Sequence, residues 1–219
     1  MKKLILFACA LCMSVCAMAQ TVFFVYKTDG TSVQFAIADV DSISFSGHEY
    51  VDLGLPSGLK WATCNVGATK PEEYGNYYAW GETAPKSSYS SDNYSYSDNP
   101  DKDAARANWG GQWRMPTKEE WQELLDNCTW TWVEGYNGGE NNGYQVTGSN
   151  GNSIFLPAAG YRSRDDLYYA GDRGYYWSSS LGTDYPDDAW YVLFYSDNVL
   201  RSIDGRYYGQ SVRPVLFGE

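Results

Sequence analysis
All nine Trp of the chain lie between Trp61 and Trp190, in a stretch punctuated throughout by Gly. Rings of that size are buried against one another, and frequent Gly interrupts long helices and long strands alike. The stretch is therefore expected to fold as short strands joined by tight turns. The clearest of these is a hairpin: Tyr144–Thr147 and Ser153–Leu156 flank Asn150-Gly151, the dipeptide favoured by a two-residue type I′ turn. One good helix is also legible. Thr117-Lys118-Glu119-Glu120 reads as a capping box, in which the hydroxyl and the carboxylate each satisfy an orphan backbone N–H. Pro116 stops any helix entering from upstream. Trp121, Leu124, Leu125 and Cys128 then follow at i, i+3, i+4 and i+7, a single face that points Cys128 into the core. A shorter helix is expected over residues 100–108, with Pro100 at its first position and Gly110 past its end. Many strands with one or two helices make an α+β domain.

Ahead of that stretch the pattern differs. Val22–Tyr26 and Ser32–Ile37 flank a Thr28-Asp29-Gly30-Thr31 turn, and Asp41–Phe45 alternates polar and apolar. Residues 20–47 are read as a small β module, joined near Gly47 and His48 to a main domain over 48–219. Residues 1–19 have a third character. Lys2 and Lys3 precede an apolar run, Leu4–Val15, and Ala17-Met18-Ala19 supplies small residues at the positions a signal peptidase reads. A cleaved secretory signal is expected, with the protein exported to the periplasm, outer surface or medium. A buried N-terminal helix and a lipoprotein acylated at Cys9, Cys12 or Cys16 stand as the alternatives. No other segment is long and apolar enough to span a bilayer as a helix.

Cleavage removes two of the 16 basic residues and no acid, leaving 14 against 27 and a net charge of −13. So acidic a chain is repelled by phosphates, which argues against nucleic acid and bare anionic membrane as partners. Five Cys fall to two, Cys64 and Cys128. In an oxidising compartment a Cys64–Cys128 disulfide is expected, with two buried thiols as the alternative.

The common catalytic constellations fail one by one. A Ser-His or Cys-His site needs a histidine base, and the only histidine is His48, read as a solvated residue of the join. The His and Cys supply for zinc is missing, and there is no phosphate-cradling Gly loop. Asp165-Asp166, Asp184, Asp187-Asp188 and Glu119-Glu120 leave carboxylate catalysis as a minor alternative. The loops Asp98–Asp103 and Asp184–Asp188 offer the oxygen ligands calcium takes, without the spacing of an EF-hand loop. No cofactor is expected.

The C-terminal third is the informative part. Tyr recurs there among Ser, Asp, Asn, Gly and Arg, a mixture that gives large contact area at low entropic cost with adaptable hydrogen bonds. Strand-borne rings such as Trp177 and Trp190 are assigned to the core, and Arg173, Arg201 and Arg206 to the surface. The candidate ligand-binding residues are Asp165, Tyr168, Tyr169, Arg173, Tyr185, Asp187, Asp188, Asn198, Arg201 and Tyr207.

Six ordered motifs carry a family resemblance. They are the segment from Tyr50-Val51-Asp52-Leu53-Gly54-Leu55-Pro56 through Trp61-Ala62-Thr63-Cys64-Asn65-Val66-Gly67-Ala68, Tyr78-Ala79-Trp80-Gly81-Glu82-Thr83, Trp113-Arg114-Met115-Pro116-Thr117, Leu156-Pro157-Ala158-Ala159-Gly160-Tyr161-Arg162, Tyr176-Trp177-Ser178-Ser179-Ser180 and Ser211-Val212-Arg213-Pro214-Val215. Together they resemble the Fibrobacter succinogenes major paralogous domain of exported Bacteroidota proteins, over residues 48–217. The resemblance implies a C-type-lectin-like fold, similar also to the formylglycine-generating enzymes, with variable loops on an aromatic scaffold. The Glu-Pro-Asn, Gln-Pro-Asp and Trp-Asn-Asp triplets of calcium-dependent sugar binding are missing, and Cys64 and Cys128 do not match the reactive pair of the oxidase. The expectation is a non-catalytic binding module for a glycan or a protein. A structural or self-associating envelope component is the second reading, and a carboxylate glycosidase the third.

Overall fold
The computed structural model describes residues 22–26, 30–36, 47–95 and 102–217. The chain divides into two compact units, Met1–Phe45 and Ser46–Glu219. In the first, β1 (Val22–Tyr26) and β2 (Ser32–Ala36) pair antiparallel with Val22 opposite Ala36. The expected strand Asp41–Phe45 lies outside the described residues, as does Pro100.

The second unit mixes short antiparallel strands with two helices, an α+β arrangement. After β3 (Tyr50–Asp52) and β4 (Leu59–Ala62) come α1 (Ala104–Trp109) and α2 (Lys118–Asn127), then β5 (Cys128–Val133), β6 (Gly143–Gly148) and β7 (Ser153–Pro157). The hairpin β8 (Tyr161–Ser163) and β9 (Asp166–Tyr168) leads into the longest strands, β10 (Arg173–Leu181), β11 (Asp188–Tyr195) and β12 (Asn198–Gly205). The closing strand β13 (Val215–Phe217) returns to pair with β4, giving sheets β13-β4-β3, β5-β6-β7 and β10-β11-β12. Among the described residues no helix is long and apolar enough to cross a membrane.

The helix α2 begins where its capping box puts it. Thr117 Oγ1 accepts from the Glu120 N–H at 3.2 Å, and Glu120 Oε2 accepts from the Thr117 N–H at 2.8 Å. Trp121 and Leu124 are fully buried against Trp61, Tyr176, Val192 and Phe194, and burial of this kind stabilises by roughly 1.5–3 kcal/mol per side chain. The helix stops at Asn127, one residue short of the expected face. Cys128 is already extended (φ −122°, ψ 153°) and opens β5. The first helix also starts later than expected, because Asp103 rather than Pro100 sets it: the Asp103 carboxylate accepts the Arg106 N–H at 3.0 Å.

Two sequence expectations need correction. The β6–β7 hairpin is present, but its turn is not type I′. Gly151 alone is left-handed (φ 85°), its N–H bonds Gly148 O, and the Gly148 N–H bonds Asn152 O, making a three-residue loop with a bulge. Asn150 stays out of the left-handed region because its side chain is engaged: Nδ2 donates to Asp52 O at 2.9 Å and Oδ1 accepts from the Asn152 N–H. The Cys64–Cys128 disulfide is not formed, and both thiols are free and half-buried. With Cys128 on β5 opposite Gly148, it packs at the edge of the Trp61–Trp121 core, whereas Cys64 lines a cleft with His48, Thr69 and Trp109.

Candidate functional site
Strand alternation gives β10–β11–β12 two different faces. One carries Tyr176, Val192 and Phe194 into the core beneath α2. The other carries Arg173, Tyr175 and Trp177 from β10, Tyr191, Leu193 and Tyr195 from β11, and Asn198, Leu200, Ser202 and Asp204 from β12, by the pairings Arg173↔Tyr195↔Asn198 and Trp177↔Tyr191↔Ser202. This second face is paved with tyrosine, and its Tyr175, Trp177 and Tyr191 are buried in a second core with Val66, Tyr78, Trp80, Met115 and Val212. Tyr161 of β8 is the hub, with ring centroids 4.8 Å from Tyr175, 5.5 Å from Tyr168, 6.2 Å from Tyr169 and 5.5 Å from Tyr208. Tyr175 in turn stacks near-parallel on Tyr191 at 5.9 Å.

One end of the face is basic. The Arg173 guanidinium sits 4.1 Å over the Tyr169 ring and 5.8 Å from that of Tyr195, and its hydrogen bond to Tyr175 reinforces the charged form. Asn198 Nδ2 donates to Tyr195 Oη at 3.1 Å. Tyr169 is displayed by a strained backbone (φ 56°), a conformation that costs roughly 1 kcal/mol in a residue with a Cβ. Its carbonyl accepts from the N–H groups of Asp172 and Arg173, which holds it there. Gly160 makes the tight return of this loop feasible: a Cβ at that position would stand 2.1 Å from Tyr168 O.

The other end is acidic. Asp204 is half-buried, and its carboxylate accepts from the Gly205 N–H at 2.9 Å and from Gln210 Nε2 at 3.4 Å. Among the described residues no Lys or Arg pairs with it. Burial pushes its pKa up to about 6, partly opposed by the Gly205 hydrogen bond and slightly assisted by Asp188. The tyrosines around it hold their protons. Burial raises Tyr161 and Tyr175 and pushes Tyr191 up to about 12, with the Asp204 charge adding in each case. Tyr208 is raised first by its hydrogen bond to Tyr207, then by burial and Asp204.

The structure brings together only part of the set expected from sequence. Tyr168, Tyr169, Arg173 and Asn198 share the tyrosine face, with Asp165 exposed in the adjoining β8–β9 turn. Tyr185 (61% exposed), Asp187 and Asp188 sit at the far end of the sheet, in and beside the β10–β11 turn, and alternation puts Asp188 on the face opposite Asp204. Tyr207 packs on Tyr208 at 4.4 Å. Arg201 belongs to the α2 side. There it lines a groove of 550 Å³ with Lys118 and Trp190, donates to Lys118 O at 2.8 Å, and flanks the Trp190 ring.

Arg206 is not a surface residue. It is 1% exposed, stacks on Trp80 at 4.6 Å, and donates to Tyr94 Oη and Pro186 O. Nor is His48 a solvated join residue: it is half-buried and stacks on Trp109 at 3.7 Å, and burial lowers its pKa. Asp204 and Tyr161 are what sequence reasoning missed. Asp204 is a lone acid in a strand, and nothing local marks it. Tyr161 stands in the Leu156-Pro157-Ala158-Ala159-Gly160-Tyr161-Arg162 motif, which was the available signal. No group of three or more His, Cys, Asp or Glu that could hold a metal converges among the described residues. No family model, curated protein or solved structure matches the chain.

Proposed function
We propose that this chain is an exported, non-catalytic binding module whose tyrosine-paved face takes a glycan or a protein. The observation that carries the reading is the exposed pair Tyr168 and strained Tyr169, set on the half-buried Tyr161 and flanked by Arg173, with the buried Tyr175 and Tyr191 supporting them from the core. Tyrosine faces stack on sugar C–H surfaces or apolar side chains, and the hydroxyls supply directional contacts. The basic N-terminus and the Ala17-Met18-Ala19 site support export. The ordered motifs and the α+β arrangement support membership of the paralogous domain family with a C-type-lectin-like scaffold. Asp188, the carboxylate whose charge acts on Asp204, lies across the sheet from it, which favours binding over a paired-carboxylate hydrolase.

The second reading, a self-associating envelope component, draws on the exposed Phe24, Val33 and Phe35 of the β1–β2 hairpin. A glycan and protein array probed with the purified protein, with and without chelator, tests the leading reading. Binding is expected to be chelator-insensitive and to fall at least tenfold in Tyr168→Ala/Tyr169→Ala. No ligand at all, or a ligand indifferent to both tyrosines, would sink it.

A further inference from the structure
We propose that the groove between α2 and strands β11 and β12 is a second binding site, and that it takes a sugar carrying a single carboxylate. It lies across the sheet from the tyrosine face, and neither reading needs the other. Arg201 pairs with Val192, whose side chain points into the core beneath α2, so strand alternation puts Arg201 and Trp190 on that side. The groove measures 550 Å³, within the roughly 300–1,000 Å³ of small-ligand sites. Near the start of α2 two cations gather at one ring. Lys118 Nζ lies 5.0 Å and the Arg201 guanidinium 5.7 Å from the Trp190 centroid, and Arg201 donates to Lys118 O at 2.8 Å. Like charges drawn to one place repel unless an anion answers them. The protein supplies little of one. Glu119 comes no nearer to Lys118 than 3.7 Å and its side chain is 69% exposed, while no carboxylate pairs with Arg201 among the described residues. The indole N–H of Trp190 is withdrawn from water and meets no acceptor. The missing partner is a negatively charged acceptor.

The rest of the lining chooses the carrier. Farther along α2 the groove turns acidic, with Glu123 and Asp126. Both are engaged within the protein: Glu123 accepts from the Ser57 N–H at 2.8 Å and Oγ at 2.6 Å, and Asp126 accepts from Gln122 Nε2 at 2.6 Å. Their charge repels a ligand that is anionic along its whole length. An isolated carboxylate followed by neutral groups fits instead. Seven of the eight residues that line the groove carry charged or amide side chains, and Trp190 is its one ring. A fatty acid or an apolar peptide side chain finds nowhere there to bury itself. A ring with hydroxyls on its rim and one C–H face finds polar partners and a single aromatic surface. A uronic acid on an otherwise neutral glycan meets both conditions.

The test is calorimetric titration of the purified protein at pH 7 with a trisaccharide bearing one glucuronic acid, beside the same trisaccharide with that carboxyl reduced to the alcohol. The two differ in charge and keep the same rings. We expect the acid to bind at least tenfold tighter, as a carboxylate on an Arg fork should. Arg201→Gln should erase that preference while leaving the affinity for the reduced sugar within about twofold. Tyr168→Ala/Tyr169→Ala, across the sheet, should leave the preference intact. Equal affinities for the two sugars, no binding of either, or an Arg201→Gln variant that keeps the preference would overturn the proposal. Arg201-dependent capture of an acidic peptide, but not of the acidic sugar, would overturn the sugar assignment. If the acid binds through Tyr168 and Tyr169 and not through Arg201, this proposal fails and the tyrosine-face reading survives. Thermal melting separates lost binding from lost fold. Should Arg201→Gln melt early, Lys118→Gln carries the same test: it removes the second cation and should cut the preference at least threefold.

Discussion
Arg213 and Asp204 are both charged side chains drawn out of water, and the molecule treats them in opposite ways. Arg213 is fully buried, and four acceptors surround it: Asn65 Oδ1 at 2.8 Å, Ala62 O at 3.0 Å, Thr63 O at 2.7 Å and Phe155 O at 2.8 Å. Those acceptors come from β4, the segment that follows it and β7, so one guanidinium ties two sheets together. Asp204 holds one good hydrogen bond and one long one. A buried charge whose lone pairs or protons are all engaged is architecture. A desolvated charge left short of partners costs stability.

The sharpest break of this contrast is Arg213→Met, which keeps the volume and removes the donors. It strands three buried acceptors at about 1–3 kcal/mol each and the half-buried Thr63 O, offset in part by relief of the guanidinium's own desolvation. A net loss of about 3–4 kcal/mol in urea unfolding is expected. A loss under about 1 kcal/mol would mean that the lock does not hold the sheets.

Asp204→Asn should do the reverse and stabilise. The folded carboxyl titrates at about 6, above its ordinary value, so the native state binds more protons than the unfolded state in the interval between. Stability from this group is therefore present below pH 4 and lost as pH rises through 6, an effect on the order of 2–3 kcal/mol. Replacing the acid by the amide should gain about 1–2 kcal/mol at pH 7.5 and flatten the unfolding profile between pH 4 and 6. Destabilisation at pH 7.5 would place Asp204 in the architectural class beside Arg213.

How much of this was legible in sequence depends on how local its cause is. The α2 capping box is four consecutive residues, and the structure reproduces it bond for bond. The β6–β7 strands were legible from alternation. Their turn type was not, because Asn150 is claimed by Asp52 O, 98 residues away. Arg206 and Arg213 defied the default that Arg is exposed, and only their distant acceptors explain why. Of the candidate site, Tyr168, Tyr169, Arg173 and Asn198 were legible as candidates because Tyr-rich loops advertise themselves, and the structure shows that these four share one face. Asp204 was not, since its neighbours arrive from β8, β10, β11 and the turn after β12. The absent disulfide has the same origin: the helix ends one residue before Cys128.

A smaller effect sharpens the boundary of the site. Tyr168 is 41% exposed, so Tyr168→Ala should change stability by no more than about 0.5 kcal/mol. Ligand affinity should fall even so. A thermal shift larger than the binding loss would make the ring part of the core.

The most direct measurement is a carbon-13 NMR titration of the Asp204 side-chain carboxyl in the folded protein. A midpoint of about 6 is what a half-buried acid short of partners requires. A midpoint near 4 would contradict it.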